Sequence, residues 1–379
     1  DIFPVVWNDL PSVSDIVSAQ NPEAVQLHEG RDLNIMCGGF VSSGDANAAL
    51  ERADVTVEGH YRSGFVEHAY IEPEAGFAQM VNGRVEVHAC TQSPVMDLDS
   101  LEIILGIDRS MIRIVPTAVG GGFGSKLDIS VQPFLALGAM KTGKPVRICY
   151  SRTESMQSTT KRHPSDIKLT VGATVAGKIM GFNFYGEFDT GAYASWGPTV
   201  ANRVPVHASG PYEIPDYRAE SKGIHTNNTP AGAFRGFGVP QSAIAQECLF
   251  DELAQKLDID PLEFRIINAL KNNVPTVCGQ VFSQGVGITK CLKALRPAWL
   301  QENENCATFN ASNTVLSRGV GLASGWYGCG NTSLPNPSTI KSGIRADGTV
   351  VLHQGAMDIG QGANTVIAQH HDGTFALLD

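Results

Sequence analysis

Apolar residues recur along this chain with two different periods. Ile167, Leu169 and Val171 alternate with polar neighbours, and Phe182, Phe184, Gly186 and Phe188 resume that period after Ala176-Gly177. A period of two turns one face of a strand towards a core, so both segments predict strands. Residues 77–81 and 84–88 flank Asn82-Gly83, a pair that predicts a tight hairpin between alternating runs. Another hairpin is expected where Ile340, Ser342 and Ile344 approach Asp347-Gly348 and Val350, Val351 and Leu352 leave it. The helical period is carried by Val131, Phe134, Leu135 and Leu137 in 130–140, and by Ile244, Cys248, Leu249, Leu253 and Leu257 in 242–257. Asp260-Pro261 opens a further helix with Leu262, Phe264, Ile266 and Ile267, and 45–53 predicts a short one. Together these elements predict an α+β fold of mixed sheets with packed helices. No internal repeat is present, and the polar stretch 302–318 suggests a domain boundary.

Composition narrows the classes. The 379 residues are 42% hydrophobic and 17% charged, enough apolar material for the packed cores of two to three domains. No apolar run approaches the ~18 residues that a membrane-crossing helix needs. With 28 Lys+Arg against 38 Asp+Glu the net charge is −10, and there is no polybasic run. Neither nucleic acid nor a membrane is therefore expected as a partner. None of the eight Cys forms C-x-x-C, so a zinc ribbon, an iron–sulfur loop and a thioredoxin motif lack support. The cysteines read as buried free thiols of a reducing compartment, and with no visible signal peptide the protein is expected to be cytoplasmic.

Five segments could carry chemistry. Val119-Gly120-Gly121-Gly122-Phe123-Gly124-Ser125-Lys126 follows a strand-like run, 111–115, and precedes a helix. Its glycines allow close backbone approach, and successive N–H groups there can form an anion-binding nest; a plain glycine turn fits the same pattern. It is not a P-loop, because Leu127 stands where Ser or Thr is needed. Gly232-Ala233-Phe234-Arg235-Gly236-Phe237-Gly238 places an Arg and two Phe among glycines ahead of a long helix. That suggests a rigidly held five-donor guanidinium beside an aromatic wall, or a tight surface turn. Gly360-Gln361-Gly362 reads as a strand-to-helix turn that can also offer N–H groups to an anion. Glu67-His68-Ala69-Tyr70-Ile71-Glu72-Pro73-Glu74 gathers three carboxylates and a His, and reads as a polar strand end. Lys161-Arg162-His163-Pro164 reads as a solvated basic loop.

In this order along the chain, the Glu-His-Ala-Tyr-Ile-Glu-Pro, Gly-Gly-Gly-Phe-Gly-Ser-Lys, Gly-Ala-Phe-Arg-Gly-Phe-Gly-Val-Pro-Gln and Gly-Gln-Gly segments resemble the molybdenum-binding subunits of the xanthine dehydrogenase/aldehyde oxidase family. Thr91-Gln92-Ser93 and Asp189-Thr190-Gly191-Ala192-Tyr193 strengthen the resemblance, which is greatest to nicotinate and xanthine dehydrogenase subunits. It implies that 1–55 is the tail of a preceding α/β hammerhead-type domain with a linker. A first molybdopterin-binding domain over 56–310 and the start of a second over 311–379 would follow. It implies a molybdenum cofactor, as molybdopterin or its cytosine dinucleotide, with the metal held by dithiolene sulfurs rather than by protein ligands.

The resemblance also assigns roles. Gly121, Gly122, Phe123, Gly124, Phe234 and Arg235 would approach the cofactor, Arg235 as the catalytic side chain. Gly360, Gln361 and Gly362 would grip the pterin or its phosphate, and Arg203, Phe237 and Leu127 would meet substrate. Leu127 stands where xanthine enzymes carry a substrate-binding Glu, and Val66 where many members carry a Gln. No residue matches the family's general-base Glu. The expectation is thus an incomplete molybdenum hydroxylase completed by a further C-terminal part or by a second molybdopterin subunit. It would act on a nicotinate- or purine-like heteroaromatic and pass electrons to iron–sulfur and FAD subunits. The alternatives are an aldehyde oxidoreductase of the same family and a non-catalytic remnant.

Overall fold

A computed structural model describes residues 4–328 and 337–376, the last five of these by backbone alone. Among the described residues the strands are β1 (Ile35–Ser43), β2 (Val55–Ser63), β3 (Ala75–Val81), β4 (Arg84–Ala89), β5 (Ile112–Pro116), β6 (Val146–Cys149), β7 (Ser165–Ala173), β8 (Ile179–Gly191), β9 (Asp216–His225), β10 (Lys341–Ile344) and β11 (Val350–His353). The helices are α1 (Ile16–Ala19), α2 (Ala46–Glu51), α3 (Pro94–Leu105), α4 (Gln132–Thr142), α5 (Arg152–Ser158), α6 (Gly197–His207), α7 (Val239–Lys256), α8 (Pro261–Asn268), α9 (Ile288–Ser312) and α10 (Ala363–Ala376). They form two compact units, one from the described parts of 1–64, 163–228 and 236–328, the other from those of 65–162, 229–235 and 329–379.

The first unit is built on a five-stranded sheet of order β1-β9-β8-β7-β2. Its β8–β9 pair is parallel and the other pairs are antiparallel. The alternation at Ile167, Leu169 and Val171 does what the pattern predicts: all three are buried while Lys168 between them is exposed. Phe182, Phe184 and Phe188 enter the same core, where Leu249, Phe250 and Leu253 of α7 and Phe264 of α8 meet them. Asp260 caps α8 by accepting from the Leu262 and Glu263 N–H groups. α9 runs through the first part of the polar stretch 302–318, to Ser312, with Pro297 inside the helix.

In the second unit a four-stranded sheet of order β5-β4-β3-β6 packs against α4. Asn82 (φ 48) and Gly83 (φ 78) both lie in the left-handed region, which a type I′ turn requires, and they close the β3–β4 hairpin at the Val81↔Arg84 pair. β4 and β5 are parallel, with α3 as the crossover between them. Val87, Leu101, Ile112, Leu135 and Ala139 form the core between sheet and helices. The late hairpin forms as β10 and β11. The stretch His370-His371-Asp372-Gly373 lies within α10.

Of the described cysteines only Cys90 is buried; Cys149, Cys248, Cys278 and Cys291 are exposed, and none is in a disulfide. Cys329 lies outside the described residues. No described helix is long and apolar enough to cross a membrane.

Candidate functional site

Parallel strands β4 and β5 end side by side, and the loop after each leaves the sheet at its carboxyl edge. That is the place where α/β sheets leave a crevice for ligands. The loop after β4 carries Gln92 and the loop after β5 carries the glycine run. Gln92 Oε1 accepts from the Gly124 N–H at 2.9 Å, while the Gln92 N–H donates to Lys126 O at 2.9 Å. A Cβ on Gly122 would stand 2.3 Å from Gln92 Oε1, so a side chain there would push the Gln92 amide away from its bond to the Gly124 N–H. Gly121 (φ 93), Phe123 (φ 50) and Gly124 (φ 115) are in the left-handed region.

Most polar groups around this loop have internal partners. Glu72 Oε2 accepts from Gly120 N–H at 2.8 Å and from Lys126 Nζ at 2.7 Å. Lys126 also donates to Glu72 O at 2.9 Å and is 3% exposed, so it pins the 70–74 turn rather than facing a ligand. By contrast, the N–H groups of Gly121, Gly122 and Phe123 donate to no acceptor among the described residues.

The segment that carries Arg235 docks onto this loop. The Arg235 N–H donates to Phe123 O at 2.9 Å, and a Cβ on Gly124 would lie 2.5 Å from Ala233 O. Two motifs far apart in the chain are thereby brought together. The Arg235 side chain is exposed and forms no ion pair or hydrogen bond among the described residues. Phe234 is occupied differently from the open ligand wall that its flanking glycines suggest. The His68 ring stacks on it at 4.0 Å and the Arg162 guanidinium lies 3.8 Å from its centroid. His68 Nε2 donates to Ala233 O at 2.8 Å, and burial pushes its pKa down to about 4, so the ring is neutral.

The Glu67–Glu74 segment is not a strand beyond a single bridge at Val66, and Ala69 adopts φ 50. Its carboxylates divide among separate partners: Glu67 with Lys161 at 2.7 Å, Glu72 with Lys126, and Glu74 with the Tyr70 hydroxyl. No cluster able to hold a metal ion forms among the described residues. The basic loop is likewise not solvated. Lys161 is 8% exposed, and burial pushes the Arg162 pKa down to about 10.

A cavity of about 820 Å³ opens beside the two loops, lined by Gln92, Ser93, Thr117, Val119, Asp358 and Gly360 among others. Its far wall is the turn before α10. Here Asp358 Oδ1 accepts from Gly360 N–H at 3.0 Å and Gly362 N–H at 3.3 Å, and Oδ2 from Asn364 N–H at 3.2 Å. These bonds hold the Asp358 carboxyl below its ordinary pKa. Gln361 is also engaged, accepting from Ile359 N–H and donating to Met357 O. The turn therefore keeps its own donors for Asp358, and what it presents to the cavity includes Gly360, which has no side chain.

Within the first unit, Arg203 of α6 is 7% exposed. Its guanidinium lies 4.9 Å from the Tyr327 ring and 5.5 Å from Phe237, and donates to the Tyr327 hydroxyl. Phe237 (φ 42) meets Trp196 edge-on at 6.2 Å. His207 donates from Nδ1 to Arg203 O and accepts at Nε2 from the Gly328 N–H, an arrangement that requires the neutral ring. Burial lowers its pKa accordingly. Leu127 ends the turn after the glycine run, half-buried, with its N–H bonded to Gly124 O at 3.1 Å. Sequence reasoning missed Gln92, His68, Arg162 and Tyr327 as members of these clusters. Only the Gly-Trp-Tyr-Gly run at 325–328, with two aromatics between glycines, carried a signal of the last.

Residues 27–269 match the molybdopterin cofactor-binding domain, and residues 293–376 match a second domain of that description. The chain is 37% identical over 297 residues to the nicotinate dehydrogenase large molybdopterin subunit of Eubacterium barkeri, covering 78% of this chain and 69% of that protein. It is 34% identical over 373 residues to a probable xanthine dehydrogenase subunit of Bacillus subtilis, covering 97% of this chain and 49% of that protein. Among solved structures it is similar to the aldehyde oxidoreductase of Desulfovibrio gigas, with TM-score 0.86 and 30% identity over 94% of this chain and 39% of that one. The chain thus spans about half the length, or less, of several of the proteins it matches. The glycine cradle, whose N–H groups at Gly121, Gly122 and Phe123 have no acceptor among the described residues, and the exposed Arg235 docked on it suit an anionic pterin cofactor, and the two domain matches place the chain among the molybdopterin-binding subunits of the xanthine dehydrogenase/aldehyde oxidase family.

Proposed function

We propose that this chain is the cofactor-binding part of a molybdenum hydroxylase that acts on an N-heteroaromatic substrate such as nicotinate. The observation that carries the reading is Arg235: an exposed guanidinium with no protein partner among the described residues, bonded through its backbone to the loop whose Gly121, Gly122 and Phe123 N–H groups are also unpaired. Four donor groups held on one scaffold, one of them charged, suit oxygens that carry negative charge. Molybdopterin, when bound, supplies the redox chemistry, in which water provides the oxygen and the substrate yields two electrons.

The chain's own contribution is binding and charge. Gly121, Gly122, Phe123 and Gly124 form the cradle, with Gln92 fixing its shape. Arg235 stabilises negative charge that grows at the reacting centre. Phe234 supports Arg235 from behind, and Gly360 and its turn wall the cavity, with Gln361 and Gly362 holding that turn's form. Arg203 and Phe237 are assigned to a planar substrate, whose carboxylate a guanidinium can pair with and whose ring an aromatic side chain can stack on. Leu127 is assigned, on the resemblance alone, as an apolar substrate contact. The name of the Eubacterium barkeri relative supports nicotinate. The Desulfovibrio gigas structure and the apolar Leu127 support aldehyde oxidation as the second reading.

In this reading the general-base Glu comes from a part of the enzyme that these residues do not supply. Electrons leave to iron–sulfur and FAD groups on partner subunits. The test is the enzyme purified with its partners, assayed with nicotinate and with an aldehyde against an artificial electron acceptor. Arg235→Ala should lower turnover by ~10² or more, as loss of an oriented charge at a reacting centre does. Wild-type turnover in that variant would remove Arg235 from the mechanism.

A further inference from the structure

An exposed arginine gains no direction from packing, so something else must aim Arg235. The direction of its Cα–Cβ bond is set by the two peptide planes that flank it. Both planes are pinned within one unit. The N–H donates to Phe123 O at 2.9 Å, and the carbonyl oxygen accepts from Arg162 Nη2 at 2.9 Å. The next residue, Gly236 (φ 102), has a conformation open chiefly to glycine.

Arg162 is itself well anchored. Its N–H donates to Val66 O at 2.9 Å, and the neighbouring Lys161 exchanges backbone bonds with Pro230 and Gly232 at 3.1 and 2.9 Å. Its guanidinium lies on Phe234, with His68 stacked on the same ring. A ring 4.0 Å from one planar group and 3.8 Å from another has room for them only on opposite faces. Phe234 is thus clamped, and the peptide that follows it is held.

We propose that Arg162 is a positioning residue for Arg235: by lying on Phe234 and donating to the Arg235 carbonyl, it fixes the peptide that aims the Arg235 guanidinium. This deepens the function proposed above and rests on it for the role of Arg235. The role assigned to Arg162 is exerted through Arg235.

The test uses the enzyme purified with its partner subunits. Arg162→Met keeps an apolar stem on Phe234 and removes the bond to the carbonyl. It should retain molybdenum and bind substrate with KM changed less than ~3-fold, while kcat falls ~10-fold to 10²-fold, the usual cost of a small misplacement. Arg162→Lys should recover part of that loss, since an ammonium can sit on the ring and donate one bond; it also serves as the probe if Arg162→Met does not accumulate. Trypsin scission after Arg235, identified by mass, gives a readout independent of turnover. It should run ~10-fold faster in Arg162→Met, because the peptide to be cut is no longer held. The double variant Arg162→Met/Arg235→Ala should be no slower than Arg235→Ala alone. Unchanged scission, unchanged kcat, or additive losses in the double variant would each overturn the proposal. Wild-type turnover in Arg235→Ala with faster scission in Arg162→Met would sink the role of Arg235 and leave the clamp standing.

Discussion

Asp97 offers a titration of the wall that lines the cavity of about 820 Å³. It lies in the first turn of α3, the helix whose start lines that cavity, and is 1% exposed. Its Oδ2 accepts from Gln132 Nε2 of α4 at 3.0 Å. Burial pushes its pKa from 3.8 to about 6, and the Asp128 carboxylate adds to the rise, against hydrogen bonds from Thr91 and Gln132. The folded protein therefore keeps this proton to about pH 6, whereas the unfolded chain releases it near 3.8. Between those values the folded state binds more protons, so stability falls as pH rises through the window. At ~1.4 kcal/mol per pH unit the full loss is about 3 kcal/mol, reached above about pH 7.

Asp97→Asn keeps the shape and removes the titration. Its other effects, such as an amide that lacks an acceptor, are the same at every pH. The loss in the wild type is about 1 kcal/mol at pH 4.5 and about 3 kcal/mol at pH 7.5. The stability of the variant relative to wild type should therefore improve by about 2 kcal/mol between those two conditions. Urea denaturation of both proteins at both pH values, read as midpoint and slope, measures it. A stability difference that does not change with pH would refute the claim that Asp97 is buried as an acid in this wall.

Further substitutions test other parts of the fold. Gly124→Ala places a Cβ 2.5 Å from Ala233 O in a backbone region that disfavours side chains; it should cost roughly 2–5 kcal/mol from strain and overpacking together. Gly83→Ala, with positive φ but open space around it, should cost ~1 kcal/mol, and melting curves of the two variants make the comparison. In the first unit, Arg265 is fully buried and bonds Glu247 and Asp251, both at 2.7 Å. Arg265→Ala strands the buried Glu247 carboxylate and should cost ~3–5 kcal/mol, and Arg265→Met/Glu247→Gln should recover most of it in the same urea assay.

What was legible in the sequence is what local chemistry decides. Asn82-Gly83 demands its turn whatever surrounds it, and the alternation at 167–171 follows from one face meeting a core. The four glycines and Arg235 stood out as candidates because a run of such residues is hard to explain by packing. Misreadings arose where long-range pairing sets the environment. Lys161 and Arg162 look solvated as a basic pair, yet Glu67 neutralises one and Phe234 covers the other. Glu67, Glu72 and Glu74 look like one cluster, yet each answers a different partner. No periodicity carries that information, because the partners lie on other segments.

The same distinction separates the two candidate anion sites. At the turn before α10 the N–H groups of Gly360 and Gly362 already face the carboxylate of Asp358 in their own chain. A phosphate brought there must displace an anion held by three donors, and gains only the difference between the two. At the glycine run the N–H groups of Gly121, Gly122 and Phe123 have no such occupant among the described residues, and Gly122 is buried. A buried donor without an acceptor costs about 1–3 kcal/mol, which a bound oxygen would restore. The two glycine motifs therefore have unequal parts. The run after β5 has donors to spend on a ligand, and the turn before α10 uses its donors to keep a wall in place.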